Sequence, residues 1–409
     1  MHVSDGDDWG EPSSEGESER DGQKRPLSQG GGPIRREGDA AAASVLARAF
    51  RSAEREDPLT NLTHGFHSWP AGMHWATART VLEAIQPKRV LDPFCGGGTV
   101  LVEARVLGAK SAGVDLNPLS QRVAAVRAEA RDAIGRSRFL AAAQGVAERS
   151  EARVRERVNI RVDLPEAELR WYDVHVLKEL GGLREEIRAV PDLEDRVPLI
   201  VCFSSILVKV SKQRSDTAEV VAKKRIRKGL STELFLRKAQ ELSERWAALN
   251  EVAEGPPPLL FEGDARSLPR ILGSKRMDLI LTSPPYGGTY DYAAHHARRI
   301  AWLGLDDSKL RRLEMGARRE SRREGAADAW DRDVSAMLEA MKAVLRPGGQ
   351  IVLLMGDAQI GRERVPPPPQ VAYLGAKHGL AVHAVASQRR TDWTGHRARE
   401  EHLIWLRQR

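Results

Sequence analysis

The chain has 409 residues, 41% hydrophobic and 30% charged, with two cysteines and a formal charge of +7. That length allows two or three domains around a large core, and two cysteines outside any metal-ligand spacing argue against a disulfide framework or a structural zinc site. No apolar stretch approaches the ~20 residues that span a bilayer, and the polar, acidic start lacks a secretory pattern, so a cytoplasmic protein with no membrane partner is expected.

Residues 1–43 are rich in Gly, Ser, Asp and Glu and poor in large apolar side chains. Such a segment cannot bury enough surface to offset chain entropy, and a disordered acidic tail is expected there. Residues 1–33 hold three basic and eight acidic groups; the rest carries 61 basic and 49 acidic groups, a balance of +12. That excess suits a polyanionic partner, because phosphates release counterions when basic groups meet them; a solvated arginine-rich face is the plainer account.

From Thr60 to His74 glycine, proline, histidine and aromatic residues crowd together without periodicity, as in a binding loop or a cap over a sheet. A helix is expected over Trp75–Ile85, then a short strand at Arg89–Leu91. Asp92-Pro93-Phe94-Cys95-Gly96-Gly97-Gly98-Thr99 leaves that strand and enters a helix. Its glycines permit positive φ and close approach of backbone to a ligand. The next strand ends at Asp115, 23 residues after Asp92. An acid at the end of a second strand, after a glycine turn at the first, suits a ribose diol. Residues 44–119 are therefore the first part of an α/β domain.

Residues 120–255 change character: Ala-, Arg- and Glu-rich helical patterns dominate, and Pro198–Val210 reads equally as a buried helix or strand. Within Lys209–Lys228 eight residues are basic and two acidic, with Lys209, Lys212, Arg214, Lys223, Lys224 and Arg225 as candidate phosphate contacts. The plainer reading is a solvated face. The sheet resumes at Leu259-Leu260-Phe261, and Asp264 with Ala265 stands at that strand's carboxyl end, suited to an adenine edge.

Met277–Thr282 reads as a buried strand, stopped by Ser283-Pro284-Pro285-Tyr286. Two prolines cannot continue the ladder and must turn the chain out of the sheet, at the edge where ligands bind open α/β sheets. Tyr290 follows, then His295 and His296, which read as helix-surface residues. A helix over Val334–Leu345 and strands at Gln350–Met355, Gly379–Ala386 and His402–Leu406 complete residues 256–409 as the domain's second part.

Together, Asp92–Thr99 and Ser283–Tyr286 resemble the cofactor loop and catalytic tetrapeptide of the S-adenosylmethionine-dependent DNA amino-methyltransferases. The Ser-Pro-Pro-Tyr form is closer to the cytosine-N4 branch than to the adenine-N6 branch. The resemblance covers roughly residues 59–409. It implies a doubly wound, Rossmann-like α/β sheet with a mainly helical insertion that contacts DNA. It assigns S-adenosyl-L-methionine to Asp92, Phe94, Gly96, Gly98 and Thr99, with Asp115, Asp264 and Ala265, and implies that the Phe66–Met73 loop helps to close that pocket. Ser283 Oγ and the Pro284 carbonyl would accept from the target amine, Pro285 would stiffen the turn, and Tyr286 would stack on an extruded base. Tyr290 joins the candidate nucleic-acid contacts, and a cognate restriction endonuclease is a possible partner. Alternatives are an adenine-N6 enzyme, an RNA guanine-N2 methyltransferase, and a nucleic-acid-binding protein without turnover.

Overall fold

The computed structural model describes residues 32–57, 60–70, 72–158, 160, 162–214, 220–391 and 398–409. Most of the expected tail lies outside these residues. Its end is corrected: β1 (Ile34–Gly38) and α1 (Ala40–Arg55) are already ordered. The Asp39 side chain caps α1 by accepting from Ala42 N–H. The helix buries Leu46 and Phe50, a face whose ordering the composition of the preceding residues hides.

The first half of the domain then alternates: α2 (Trp75–Ile85), β2 (Arg89–Asp92), α3 (Thr99–Val106) and β3 (Lys110–Asp115). A run of helices follows: α4 (Ser120–Arg127), α5 (Ala133–Arg155), α6 (Glu166–Leu169), α7 (Val174–Arg188), α8 (Leu193–Ile206) and α9 (Leu230–Val252). The ambiguous Pro198 segment is helical. A proline inside a helix frees the carbonyl four residues back. Here that carbonyl, on Glu194, accepts from Arg131, whose other amino group pairs with Asp195 at 2.7 Å. These helices share a core of their own, in which Phe139 meets Trp246 edge-on at 5.0 Å.

The sheet resumes with β4 (Leu259–Glu262), a 3₁₀ turn at Ala265–Ser267, α10 (Leu268–Leu272) and β5 (Met277–Thr282). After α11 (Tyr292–Leu303), α12 (Ser308–Leu313) and α13 (Ala326–Ala343) come β6 (Leu345–Gly356), the short pair β7 (Ala358–Ile360) and β8 (Glu363–Val365), α14 (Pro367–Lys377), β9 (Leu380–Thr391) and β10 (Ala398–Gln408).

Eight strands form one sheet in the order β1-β9-β10-β6-β5-β2-β3-β4. The five from β6 to β4 run parallel, while β10, β9 and β1 continue it antiparallel. All six residues of β5 are buried, and they alternate: Ile280 faces the core under α13, whereas Leu279 and Leu281 face α1 and α2. Each such side chain contributes about 1.5–3 kcal/mol by leaving water. The winding direction reverses between β2 and β5, and a ligand crevice is expected beyond the carboxyl ends of those two strands.

Candidate active site

Both sequence motifs stand at that reversal. Asp92 ends β2 and Thr282 ends β5, and Thr282 Oγ1 donates to Asp92 Oδ1 at 2.6 Å. The glycine loop and the proline turn therefore open onto one cavity of about 770 Å³.

The loop is shaped from its backbone. Gly96 and Gly98 have φ of 47° and 82°, and Gly98 N-caps α3. A Cβ on Gly96 would lie 2.4 Å from Trp69 Nε1, because the indole of the Thr60–His74 loop lies directly on the glycine loop. Gly97 is covered by Arg127, a buried side chain whose guanidinium donates to Thr63 O at 3.1 Å. Burial, with Arg245 nearby, lowers the Arg127 pKa to about 9. Cys95 is buried, its thiol pushed up by that burial, in keeping with a small filler.

Two carboxylates line the cavity without a cationic partner among the described residues. Burial raises Asp92 to a pKa of about 7, against the opposing hydrogen bonds from Thr282 and Phe94 N–H. Asp115 is raised by burial to about 6, although it accepts from Asn117 N–H and Gly96 N–H, each at 2.8 Å. Buried carboxyls of this kind are restored as anions by a cation nearby. S-adenosylmethionine brings such a charge, and both carboxyls open onto the same cavity, so the residues present fit that cofactor.

The expected residues divide by position. Asp92, Phe94, Gly96 and Thr99 line the cavity with Asp115, while Gly98 lies behind them against Ala124. Asp264 and Ala265 form the next wall, where the Asp264 carboxylate is engaged by Arg266 at 2.7 Å. Ser283 and Pro285 face in; Pro284 is not part of the wall. Ser283 Oγ is buried with no hydrogen-bond partner among the described residues, a costly state for a hydroxyl unless a ligand satisfies it.

Tyr286 is a correction. The fold turns it away from the cavity, buries it to 5% exposure and sends its hydroxyl to Glu401 Oε1 at 3.2 Å. Tyr290 does line the cavity, its ring 5.6 Å from that of Tyr292. His295 and His296 are buried too, contrary to the surface reading. His296 packs under Trp69 with ring centroids 4.3 Å apart, and Trp302 of the same helix meets Phe203 of α8, so α11 sits between the loop and the insertion.

The basic run also divides. Lys209, Arg214 and Lys224 line the cavity. Lys212 instead pairs with Asp173 at 2.7 Å, and Lys223 and Arg225 are exposed outside the wall. Among the cavity residues not expected from sequence are Arg127, Asn117, Trp171 and Arg298. Asn117 carried a readable cue, standing two residues after the strand-end acid and just before a proline. The other three lie on elements whose packing no local pattern reveals.

Comparison with known proteins is consistent with this geometry. Residues 77–162 match the family described as UPF0020: RMKL-like, methyltransferase domain. The chain is 26% identical over 276 residues to the Type II methyltransferase M.MvaI of Kocuria varians, covering 62% of this chain and 61% of that protein. It is 24% identical over 257 residues to the Type II methyltransferase M.BsoBI of Geobacillus stearothermophilus, covering 55% and 49%. The chain thus spans about half to three fifths of the length of these relatives. The solved structure of TrmN from Thermus thermophilus aligns with 82% of this chain and 49% of its own at 16% identity, with a TM-score of 0.30.

Proposed function

From the premise that this chain carries an S-adenosylmethionine-dependent methyltransferase domain, we propose that it methylates an exocyclic amine of a nucleic-acid base, cytosine N4 in DNA. One observation carries the reading: Ser283, whose buried hydroxyl has no hydrogen-bond partner among the described residues, lines the cavity whose other wall is the glycine loop and its two aspartates.

S-adenosylmethionine supplies an electrophilic methyl group when bound. Asp92 and Asp115 hold it by charge and hydrogen bonding, and Trp69 shields it from water. An aromatic amine is a weak nucleophile because its lone pair is delocalised into the ring. Ser283 Oγ, accepting one N–H, favours a more tetrahedral nitrogen and localises that pair. As the N–C bond formed, the donor's S–C bond would break to leave a neutral thioether, and the nitrogen would give up one proton to water. Rate then comes from positioning and fixed dipoles rather than from an ionised base. Lys209, Arg214 and Lys224 bring phosphates to the mouth, and Tyr290 offers an aromatic face for the base.

DNA is favoured by the Ser-Pro-Pro-Tyr turn and by the names of the two Type II relatives. The purified chain is to be incubated with methyl-tritiated cofactor and duplex DNA, single-stranded DNA or bulk RNA, followed by nucleoside digestion. Label is expected on DNA as N4-methylcytosine. Label on an RNA guanine would move the substrate to RNA, and label on none would refute the reading.

A further inference from the structure

Tyr286 is held by groups the chemistry does not use. Its ring lies against Gly356 of β6, where an added Cβ would sit 2.7 Å from both Cδ2 and Cε2. Directly across the ladder from Gly356 is Glu401 on β10, and this is the carboxylate that accepts the Tyr286 hydroxyl. Glu401 is itself buried and forms an ion pair with Arg390 of β9, Nε to Oε2 2.8 Å, at an angle poor for a hydrogen bond. Arg390 is 4% exposed, and its guanidinium lies 4.9 Å from the centre of the Phe50 ring.

A buried ion pair is a weak source of stability but a strict one of geometry, since removing either member strands the other. Burial, then the Glu401 charge, pushes the Tyr286 phenol well up, so it remains a donor at all ordinary pH. The Ser283 hydroxyl lies near enough to temper that rise, yet outside hydrogen-bond geometry. The chain beyond Tyr286 is pinned as well. Gly287 O accepts from Gln359 N–H and Gly288 N–H donates to Gly316 O, both at 2.8 Å. On the other side of Tyr286 come the two prolines and Ser283, which lines the cavity. The hydrogen bond to Glu401 is thus the side-chain anchor of Tyr286 itself, beside these backbone bonds and the Arg399 guanidinium that donates to Thr289 Oγ1 at 2.9 Å.

We propose that Glu401 is a positioning residue: through Tyr286 it fixes the Ser283–Pro285 turn at the cavity wall, and Tyr286 is a tether rather than the platform on which the base stacks. This deepens the proposed function and rests on it. Ring and hydroxyl then have separable roles. A stacking residue needs only its ring, whereas a tether needs its hydroxyl.

The test is Tyr286→Phe, which keeps the ring. Glu401→Gln is a second variant, although it leaves the Arg390 charge unpaired. Cofactor affinity, unchanged, reports that each variant is folded. Expected for Tyr286→Phe is amide exchange in residues 283–290 faster by roughly tenfold, the scale of one hydrogen bond to a charged group. A kcat lower by roughly tenfold or more at unchanged KM for DNA is also expected, since small displacements of a reacting group are costly. A Tyr286→Phe protein that matches wild type in exchange and turnover would overturn the proposal. Faster exchange with full turnover would overturn it too, because the tether would then hold a turn that catalysis does not need. Wild-type protein without methyl transfer would count against the proposed function, and amide exchange alone would then decide the tether.

Discussion

Thr282 Oγ1 and Asp92 Oδ1, 2.6 Å apart, join the ends of two neighbouring parallel strands where the sheet changes its winding direction. The pair couples the group proposed to hold the cofactor to the strand that carries the proposed catalytic turn. Thr282→Val keeps the β-branched shape but removes the donor, leaving the buried Asp92 carboxylate with less support. Cofactor affinity at pH 7 is expected to fall by about 1–1.5 kcal/mol, close to tenfold. Thr282→Ser should retain most of it. Calorimetry on both variants checks this, and equal losses would show that packing, not the hydroxyl, matters.

Asp92 and Asp115, raised to about 7 and about 6, give the protein a pH signature. A cationic ligand binds the ionised forms, so cofactor affinity should climb as pH rises through 6 to 7 and then level off. The ligand-free protein behaves oppositely. Acids with raised native pKa values favour folding while both states are protonated, below about pH 4, and that contribution is lost as pH rises toward 7. Stability without cofactor should therefore decline across this window, with Asp115→Asn removing part of the slope. Denaturant titrations with and without cofactor at several pH values measure both effects.

Ser283→Ala separates stability from activity. The hydroxyl is buried and unpartnered in the ligand-free protein, so its removal should stabilise the fold by up to ~1 kcal/mol. Methyl transfer should nevertheless fall by about 10²–10³, the usual effect of deleting one preorganised polar group beside the reacting atoms. A rise in Tm beside that fall in kcat is the expected pair. A loss of stability would mean that Ser283 has a structural partner.

Charge reversal distinguishes the two halves of the basic run. Replacing Arg214 or Lys224, which line the cavity, should weaken DNA binding and reduce the salt dependence by about one counterion for each phosphate no longer neutralised. Replacing Lys223 or Arg225, outside the wall, should change the slope little. Fluorescence anisotropy across a salt series reads the difference, and four equal slopes would return the run to a solvated face.

Much of this was legible in the sequence because strand ends and glycine turns obey local rules. Asp92, Asp115, Asp264 and Ser283 each follow an apolar run, and the order of the strands put them on one edge. Elements fixed by long-range contacts were harder to read. Nothing near Pro198 shows that Arg131, far away in sequence, takes up the carbonyl its helix leaves free. Nor does the tetrapeptide reveal that Glu401, 115 residues later, draws Tyr286 out of the cavity. His295 and His296 looked exposed because histidines on a helix commonly face solvent; here Trp69 covers His296 and the Tyr290 ring lies 5.8 Å from that of His295.

The central claim is that one cavity serves both a methyl donor and a base amine, with Ser283 on its wall. Mass spectrometry of nucleosides from the DNA and RNA of a host expressing the wild-type chain, or its Ser283→Ala form, tests this most directly. N4-methylcytosine in host DNA with the wild type, and its disappearance with the variant, is the predicted result. Equal levels of any methylated base with both forms, or no new methylated nucleoside in either polymer, would contradict it.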